Sequence, residues 1–375
     1  MRKHIIYRYF LFLSLVGLMQ LTLSCSSSSN EIEPLKPEGE DTPLEKDEYT
    51  FMNVEYRKWQ NGTFQAWTTA DSRETRTIDN MNWYTPSSDY SRTAWGGRIG
   101  LQPSSVVGKE GFFRVANCGG RSYLLDPDNG AVIIHGIQHV RPGESTAHKK
   151  AFSTRYGSEV RWSEETGKLL ADNHINYISY GSNRIEVFPA AVRGNLLTPK
   201  TQKIAYAENL YLLRTFMWDM SKNLGYAFDD DKYNRLVLLF EPTFATYIDR
   251  LVQEKSALFA GDRHFIGFYL DNELPFASYQ GTGYANTEGG GWLVHTQKNR
   301  GEFYQNFCLR LLETRNCVGW VHFEYNDGYD SNGKASNKGV VSIEYEPYES
   351  FLSQMRQLNL SVHSLIDYYD IKSVQ

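Results

Sequence analysis

The chain has 375 residues, of which 41% are hydrophobic and 14% aromatic, and its formal net charge is -5. This length is enough for one barrel-sized domain with a small appendage. The mild negative charge, without any polybasic stretch, argues against a nucleic-acid-binding surface, so we expect no nucleic acid partner.

The first 25 residues have the pattern of a bacterial lipoprotein signal peptide. A basic start is followed by an apolar run, Phe10 to Leu23, that is too short for a comfortable membrane span. The stretch Thr22-Leu23-Ser24-Cys25 resembles a lipobox, although Thr22 stands where Leu is common. We therefore expect Cys25 to be lipidated and to anchor the protein in the outer membrane, at its periplasmic or cell-surface face.

Two short segments follow. Residues 26–48 are rich in Ser, Pro, Glu and Asp, which predicts a disordered tether. Residues 49–110 are rich in Trp, Tyr, Thr and Gly and predict a small β-rich module. Its tryptophans could stack on sugars, but so short a module favours packing against the main domain.

Residues 111–375 alternate strands with helices, which is typical of a parallel α/β fold. The predicted strands are 131–137, 177–180, 215–218 (or a helix there), 236–240, 265–270 and 318–325. The predicted helices are 159–172, 204–210, 243–258, 292–315 and 349–369.

One stretch, His264 to Phe276, carries the clearest chemical signal. An apolar strand delivers Asn272 and Glu273, and Pro275 then prevents the strand from continuing in a sheet. A carboxylic acid beside an amide at the carboxyl end of a barrel strand is what sugar-cleaving barrels use. The alternative is a solvated Asn-Glu pair in a turn.

Three blocks, 111–140, 265–276 and 291–339, resemble the β-agarase-like glycoside hydrolases of family 50, which are related to the family 42 β-galactosidases. The resemblance implies a (β/α)8 TIM-barrel glycosidase and retaining hydrolysis of a galactose-containing poly- or oligosaccharide. It also implies that Glu273 is the acid/base and that Asn272 holds a sugar hydroxyl. Residues 111–375 would form this agarase-like barrel, and no cofactor is implied.

The barrel is predicted to be incomplete, with about five strands. Only about 45 residues separate Glu273 from Val318, whereas three strand–helix units need on the order of 30 residues each. Compared with the family pattern, an internal deletion lies between Tyr279 and Tyr284, and the family's second catalytic Glu is lost with it.

Other candidate site residues follow the predicted strands. Glu324, at the end of the last strand, is the candidate for the second carboxylate, and Glu288 is more simply a solvated loop acid. The candidates for substrate binding are His135, His139, Asn183, Trp218, Trp320 and His322. Either histidine of the first strand could instead be a satisfied structural group. No spacing of Cys, His and acidic residues suggests a metal site.

These observations leave two interpretations open. The first is a surface-anchored β-agarase-like glycoside hydrolase. The second is a degenerate or truncated barrel that binds glycan without cleaving it. A second carboxyl close to Glu273 would favour the first.

Overall fold

The structure is a computed structural model, and it describes residues 48–60, 63–87, 90–182, 204–224, 240–271, 292–329 and 335–372. The helices in these ranges are α1 Thr146–Arg155, α2 Glu159–Asp172, α3 Leu212–Leu224, α4 Phe244–Phe259, α5 Gln297–Glu313 and α6 Glu349–Lys372. The strands before residue 130 are β1 Met52–Gln60, β2 Thr63–Phe64, β3 Asp71–Thr75, β4 Ser105–Val107, β5 Arg114–Cys118 and β6 Arg121–Leu125. The later strands are β7 Ala131–Val132, β8 Ile134–Ile137, β9 Tyr177–Ile178, β10 Ala205–Asn209, β11 Phe265–Tyr269, β12 Trp292–Val294, β13 Gly319–His322, β14 Gly328–Tyr329 and β15 Ala335–Ser336. None of the described helices is long and apolar enough to cross a membrane.

Five parallel strands form the central sheet, in the order β11-β10-β9-β8-β13. The last strand, β13, pairs with the first, β8, as the last and first strands of a barrel do. Within the described residues, β11 and β13 are the two edges and the sheet does not close. The α/β class is therefore confirmed, whereas the TIM-barrel type is not.

The inner face of the sheet combines small and β-branched side chains with the ring of Tyr177. Ile134, Tyr177, Ala205 and Ala207 lie on it and pack together with the buried ring of Trp95. Gly136 is needed there because a Cβ would lie 2.5 Å from a Tyr177 ring carbon. The outer face packs against the helices, whose buried side chains form the larger part of the core.

The helix predicted over 159–172 has those bounds in the structure. The Ser158 side chain caps it by accepting from the Arg161 N–H. The strand predicted over 131–137 is divided in two: β7 continues the antiparallel β4-β5-β6 sheet, and β8 enters the parallel sheet.

One of two neighbouring predictions was wrong. Residues 204–210 were predicted to be helical, but 205–209 is strand β10, which pairs on both sides with β9 and β11. Residues 215–218 were predicted to be a strand or part of a helix, and they lie in helix α3. There Leu213, Phe216 and Met217 have helical spacing and share one buried face. Of the predicted strand 236–240, residues 236–239 lie outside the described residues.

Strand β1, in the region predicted to be a small β-rich module, pairs with a strand from much later in the chain. Strand β12 pairs antiparallel with β1, placing Tyr56 opposite Val294. The start of the helix predicted over 292–315 was therefore wrong, since α5 begins only at Gln297. The Trp292 ring stacks on Tyr56 at 4.2 Å between ring centroids.

Candidate functional site

Three residues meet at the carboxyl ends of neighbouring parallel strands: the predicted candidates His139 and Glu324, and Gly181, which was not predicted from the sequence. His139 follows β8, Gly181 follows β9 and Glu324 follows β13. The pairing of β8 with both neighbours brings these ends to one edge of the sheet. Active sites of barrels and of open α/β sheets lie at this edge.

Glu324 and His139 form a pair. The Nδ1 atom of His139 lies 3.3 Å from Oε2 of Glu324, and the side chains are 24% and 17% exposed, respectively. The imidazole meets the ring of Phe323 edge-on, with centroids 5.1 Å apart. Phe323 is itself 44% exposed. A carboxylate and an imidazole beside an accessible aromatic ring can together bind a sugar hydroxyl and stack against a sugar face.

Backbone geometry fixes the position of His139. The residue has φ of 55°, in the left-handed region. Its ring packs directly against Gly181, which has φ of +72°. A Cβ at Gly181 would lie 2.7 Å from His139 Nε2 and would meet Cδ2 even more closely. Only glycine therefore leaves the imidazole in contact with Glu324.

The loop after β13 is held from below by Asp327. Its carboxylate accepts hydrogen bonds from Gly339 N at 2.8 Å and from the Tyr348 hydroxyl at 2.6 Å. The backbone oxygen of Lys338 in this loop accepts from the Glu324 N–H at 3.3 Å. This loop is thus tied to the backbone of the candidate carboxylate.

Four tyrosines, Tyr177, Tyr180, Tyr211 and Tyr269, form a second group at the same edge, which we call the tyrosine cluster. The hydroxyls of Tyr177 and Tyr269 are 3.2 Å apart. The ring of Tyr180 meets Tyr269 at 4.8 Å and Tyr211 at 6.3 Å, edge-on in both cases. Sequence reasoning missed this cluster, although the spacing of Tyr177 and Tyr180 at a strand end was visible.

Three predicted substrate-binding residues lie on the helix-facing side of the sheet and are not placed in a cleft. The Trp320 indole donates to the Tyr304 hydroxyl of α5 at 2.6 Å. The partly buried His322 contacts the Lys338 oxygen at 3.0 Å, and burial lowers its pKa to about 4. His135 is 5% exposed, and burial lowers its pKa to about 3. Strand alternation explains these placements, because residues two apart share a face.

Trp218 lies on α3, 66% exposed, and the Arg214 guanidinium lies over its ring. It does not follow a strand, so the structure does not place it with Glu324. Four other predicted residues lie outside the described residues: Glu273, Asn272, Asn183 and Cys25.

A further acidic residue, Glu208, was not considered from the sequence. Burial raises its pKa to about 7, with Lys255 acting in the opposite direction. It lies beside Phe268, which packs into the helix-facing core. Its perturbed pKa therefore belongs to the outer face of the sheet and not to the candidate site. Among the described residues, no group of three or more His, Cys, Asp or Glu could hold a metal ion.

The chain is similar to known proteins in its structure, whereas no match was found for its sequence. No family model matches it, and no curated protein does so. The crystal structure of BpGH50 is similar with a TM-score of 0.69 and 18% identity, covering 86% of this chain and 96% of that one.

Two agarase structures are more distant. The agarase AgWH50C has 12% identity and a TM-score of 0.45, covering 75% of this chain and 67% of that one. An exo-beta-agarase has 11% identity and a TM-score of 0.45, covering 75% of this chain and 69% of that one. At these scores neither likeness establishes a shared fold. The family-50 resemblance seen in the sequence is confirmed at the level of the fold, which this chain shares with the GH50 structure BpGH50.

Proposed function

We propose that this chain is a surface-anchored β-agarase-like glycoside hydrolase that acts on a galactose-containing poly- or oligosaccharide. The observation that carries the proposal is the Glu324–His139 pair at the carboxyl edge of the parallel sheet. A partly exposed aromatic ring, Phe323, lies next to the pair. The fold shared with BpGH50 supports the same assignment.

The proposed mechanism is retaining hydrolysis. Glu273 protonates the glycosidic oxygen while the Glu324 carboxylate attacks the anomeric carbon, so that the bond to the leaving sugar breaks and a glycosyl ester forms. Water, deprotonated by Glu273, then cleaves the ester and restores both carboxyl groups. Asn272 holds a sugar hydroxyl, and His139 orients the Glu324 carboxylate through their contact.

This mechanism sets a geometric condition. Retaining enzymes need their two carboxyls about 5–5.5 Å apart, and inverting enzymes need about 6.5–9.5 Å. Glu273 follows β11 and Glu324 follows β13, and these strands are the opposite edges of the described sheet. Four strand spacings of about 4.8 Å would separate them on a flat sheet, so the sheet must curl for the two to meet.

The same observation favours the second candidate function, glycan binding without cleavage. If the two edges stay apart, Glu324 and His139 can bind a sugar but have no partner acid. The alignment with BpGH50 covers 96% of that chain and 86% of this one, which supports the shared fold.

The test is a screen for hydrolysis of agarose, porphyran and β-galactosides. We expect product release by the unaltered chain and loss of turnover in Glu273→Gln and Glu324→Gln. Glu254→Gln is the matched control, because the Glu254 side chain is 65% exposed on α4, 3.8 Å from Arg250. Azide added to Glu324→Gly should restore turnover and yield a glycosyl azide, as expected when a missing nucleophile is replaced. Glycan binding by the unaltered chain without any hydrolysis would reject the enzyme and support the second function.

A further inference from the structure

One polar group at the carboxyl edge of the sheet has no hydrogen-bond partner among the residues that the structure describes. The amide nitrogen Nδ2 of Asn209 is buried, and no acceptor within the described ranges reaches it. The other half of the same amide is used, because Oδ1 accepts from the Tyr211 N–H at 2.8 Å. A buried donor left without an acceptor is costly, so a ligand or water oxygen at this point would stabilise the folded chain.

Strand alternation aims this amide at the inner face. Ala205 and Ala207 lie on the inner face of β10, and Asn209 is the next residue of the same parity. The pairing of β10 with β11 places Asn209 opposite Tyr269. The amide therefore lies at the mouth of the sheet, beside the tyrosine cluster.

The cluster around the amide has the composition of a sugar subsite. Tyr269 is 37% exposed, so the tyrosine cluster is accessible to solvent. Ser179 Oγ lies 3.4 Å from the Tyr269 hydroxyl, and the Tyr180 ring meets Tyr269 edge-on. Burial raises the pKa of Tyr177 and of Tyr211, so both phenols are neutral at physiological pH. Neutral hydroxyls, one amide and aromatic rings suit an uncharged pyranose better than a sulfated one.

We propose that Asn209 and the tyrosine cluster form a subsite for an uncharged pyranose unit of the glycan, in which the Asn209 amide donates to a sugar oxygen. This inference rests on the proposed function, since it assigns one subsite of the same cleft. It adds residues from β9, β10 and β11 to a site so far built from Glu324 and His139.

The substitution Asn209→Asp isolates the amide donor. Asp keeps the oxygen that accepts from Tyr211 N but lacks the N–H group, so the local turn is preserved while the donor is lost. Asn209→Ala removes both. The matched control is Asn53→Asp on the exposed side of β1.

The measurement is the Kd for a neutral agarose oligosaccharide and for a sulfated porphyran oligosaccharide, by calorimetry on Glu273→Gln chains. We expect Asn209→Asp to weaken neutral binding by about 10-fold or more with an unchanged melting temperature. Equal binding by Asn209→Asp and the unaltered residue would overturn the subsite and leave the proposed function intact. If Asn209→Asp does not fold, Tyr180→Leu decides, and unchanged affinity in that variant overturns the subsite. Tighter binding of the sulfated sugar overturns the choice of an uncharged unit. Absence of binding by any form overturns the proposed function as well.

Discussion

Replacing Asp370 should lower the free energy of unfolding more than the loss of an exposed ion pair would. The guanidinium of Arg121 is fully buried, and its Nε and Nη2 atoms donate to Asp370 at 3.1 and 2.7 Å. A third bond runs from Nη1 to the Leu312 oxygen at 2.8 Å. The group thus ties β6 to the ends of α5 and α6.

The magnitude follows from burial. Removing one partner of a buried ion pair leaves an uncompensated charge, at a cost of about 3–5 kcal/mol. Asp370 is 26% exposed, so water can partly replace the lost carboxylate. We therefore expect Asp370→Ala to lower the free energy of unfolding by about 3 kcal/mol, at the lower end of that range.

Urea unfolding followed by far-UV circular dichroism measures the change. The control is Asp172→Ala, whose pair with Lys168 on α2 is 51% and 70% exposed. That substitution should cost about 0.5 kcal/mol or less. The double variant Arg121→Met, Asp370→Leu should recover much of the loss, since no buried charge remains. A cost for Asp370→Ala no larger than that of Asp172→Ala would show that the buried pair stabilises the fold no more than an exposed one.

The other predictions concern pH, the site glycine and the anchor. Burial lowers the pKa of three histidines, to about 3, 4 and 4: His135, His322 and His363. As the pH falls, these histidines take up protons in the unfolded chain before they do so in the folded chain. The free energy of unfolding should therefore be greatest above about pH 6.5 and fall toward pH 4, by about 1.4 kcal/mol per histidine per pH unit. A urea midpoint that does not change between pH 7 and 5 would contradict this prediction. Glu208 acts in the opposite sense: its pKa is raised to about 7, so its contribution is lost as the pH rises through 7. In an active chain, Gly181→Ala should lower kcat by about 10²-fold, because the added Cβ displaces His139. The control is Gly261→Ala, which should leave kcat unchanged, since Gly261 also has a positive φ (+89°) but has open space around it. Equal effects of the two substitutions on kcat would assign the loss to backbone strain. Cys25→Ser should abolish labelling by radioactive palmitate and membrane partition, and continued partition of the variant would reject the lipid anchor.

Local patterns predicted several elements well. Helix 159–172 has a capping serine and a clear apolar face, and strand 265–269 is an apolar run ended by polar residues. Strand 205–209 could not be recognised in this way. Its sequence, Ala-Tyr-Ala-Glu-Asn, includes residues that favour helices, and its conformation is decided by pairing with β9 and β11.

The candidate site was predicted in part. The sequence placed Glu324 and His139 after the correct strands, and the structure brings them together. Trp320 and His322 lie on the strand predicted for them, and the structure places both on its helix-facing side. Periodicity alone shows that they share a face, and only the packing of α5 and α6 decides which one. The Asn209 amide nitrogen lacks an acceptor within the described part of the chain, which is a property of three-dimensional packing that leaves no trace in a single sequence.

In the proposed mechanism Glu324 is the carboxylate that attacks the sugar. A 2-deoxy-2-fluoro galactosyl fluoride slows the second step of a retaining enzyme, so the glycosyl ester accumulates and can be located by peptide mass spectrometry. We predict one sugar per chain, attached to the peptide that contains Glu324, and none in Glu324→Gln. Attachment to another carboxylate, or hydrolysis that is undiminished in Glu324→Gln, would exclude Glu324 as the nucleophile.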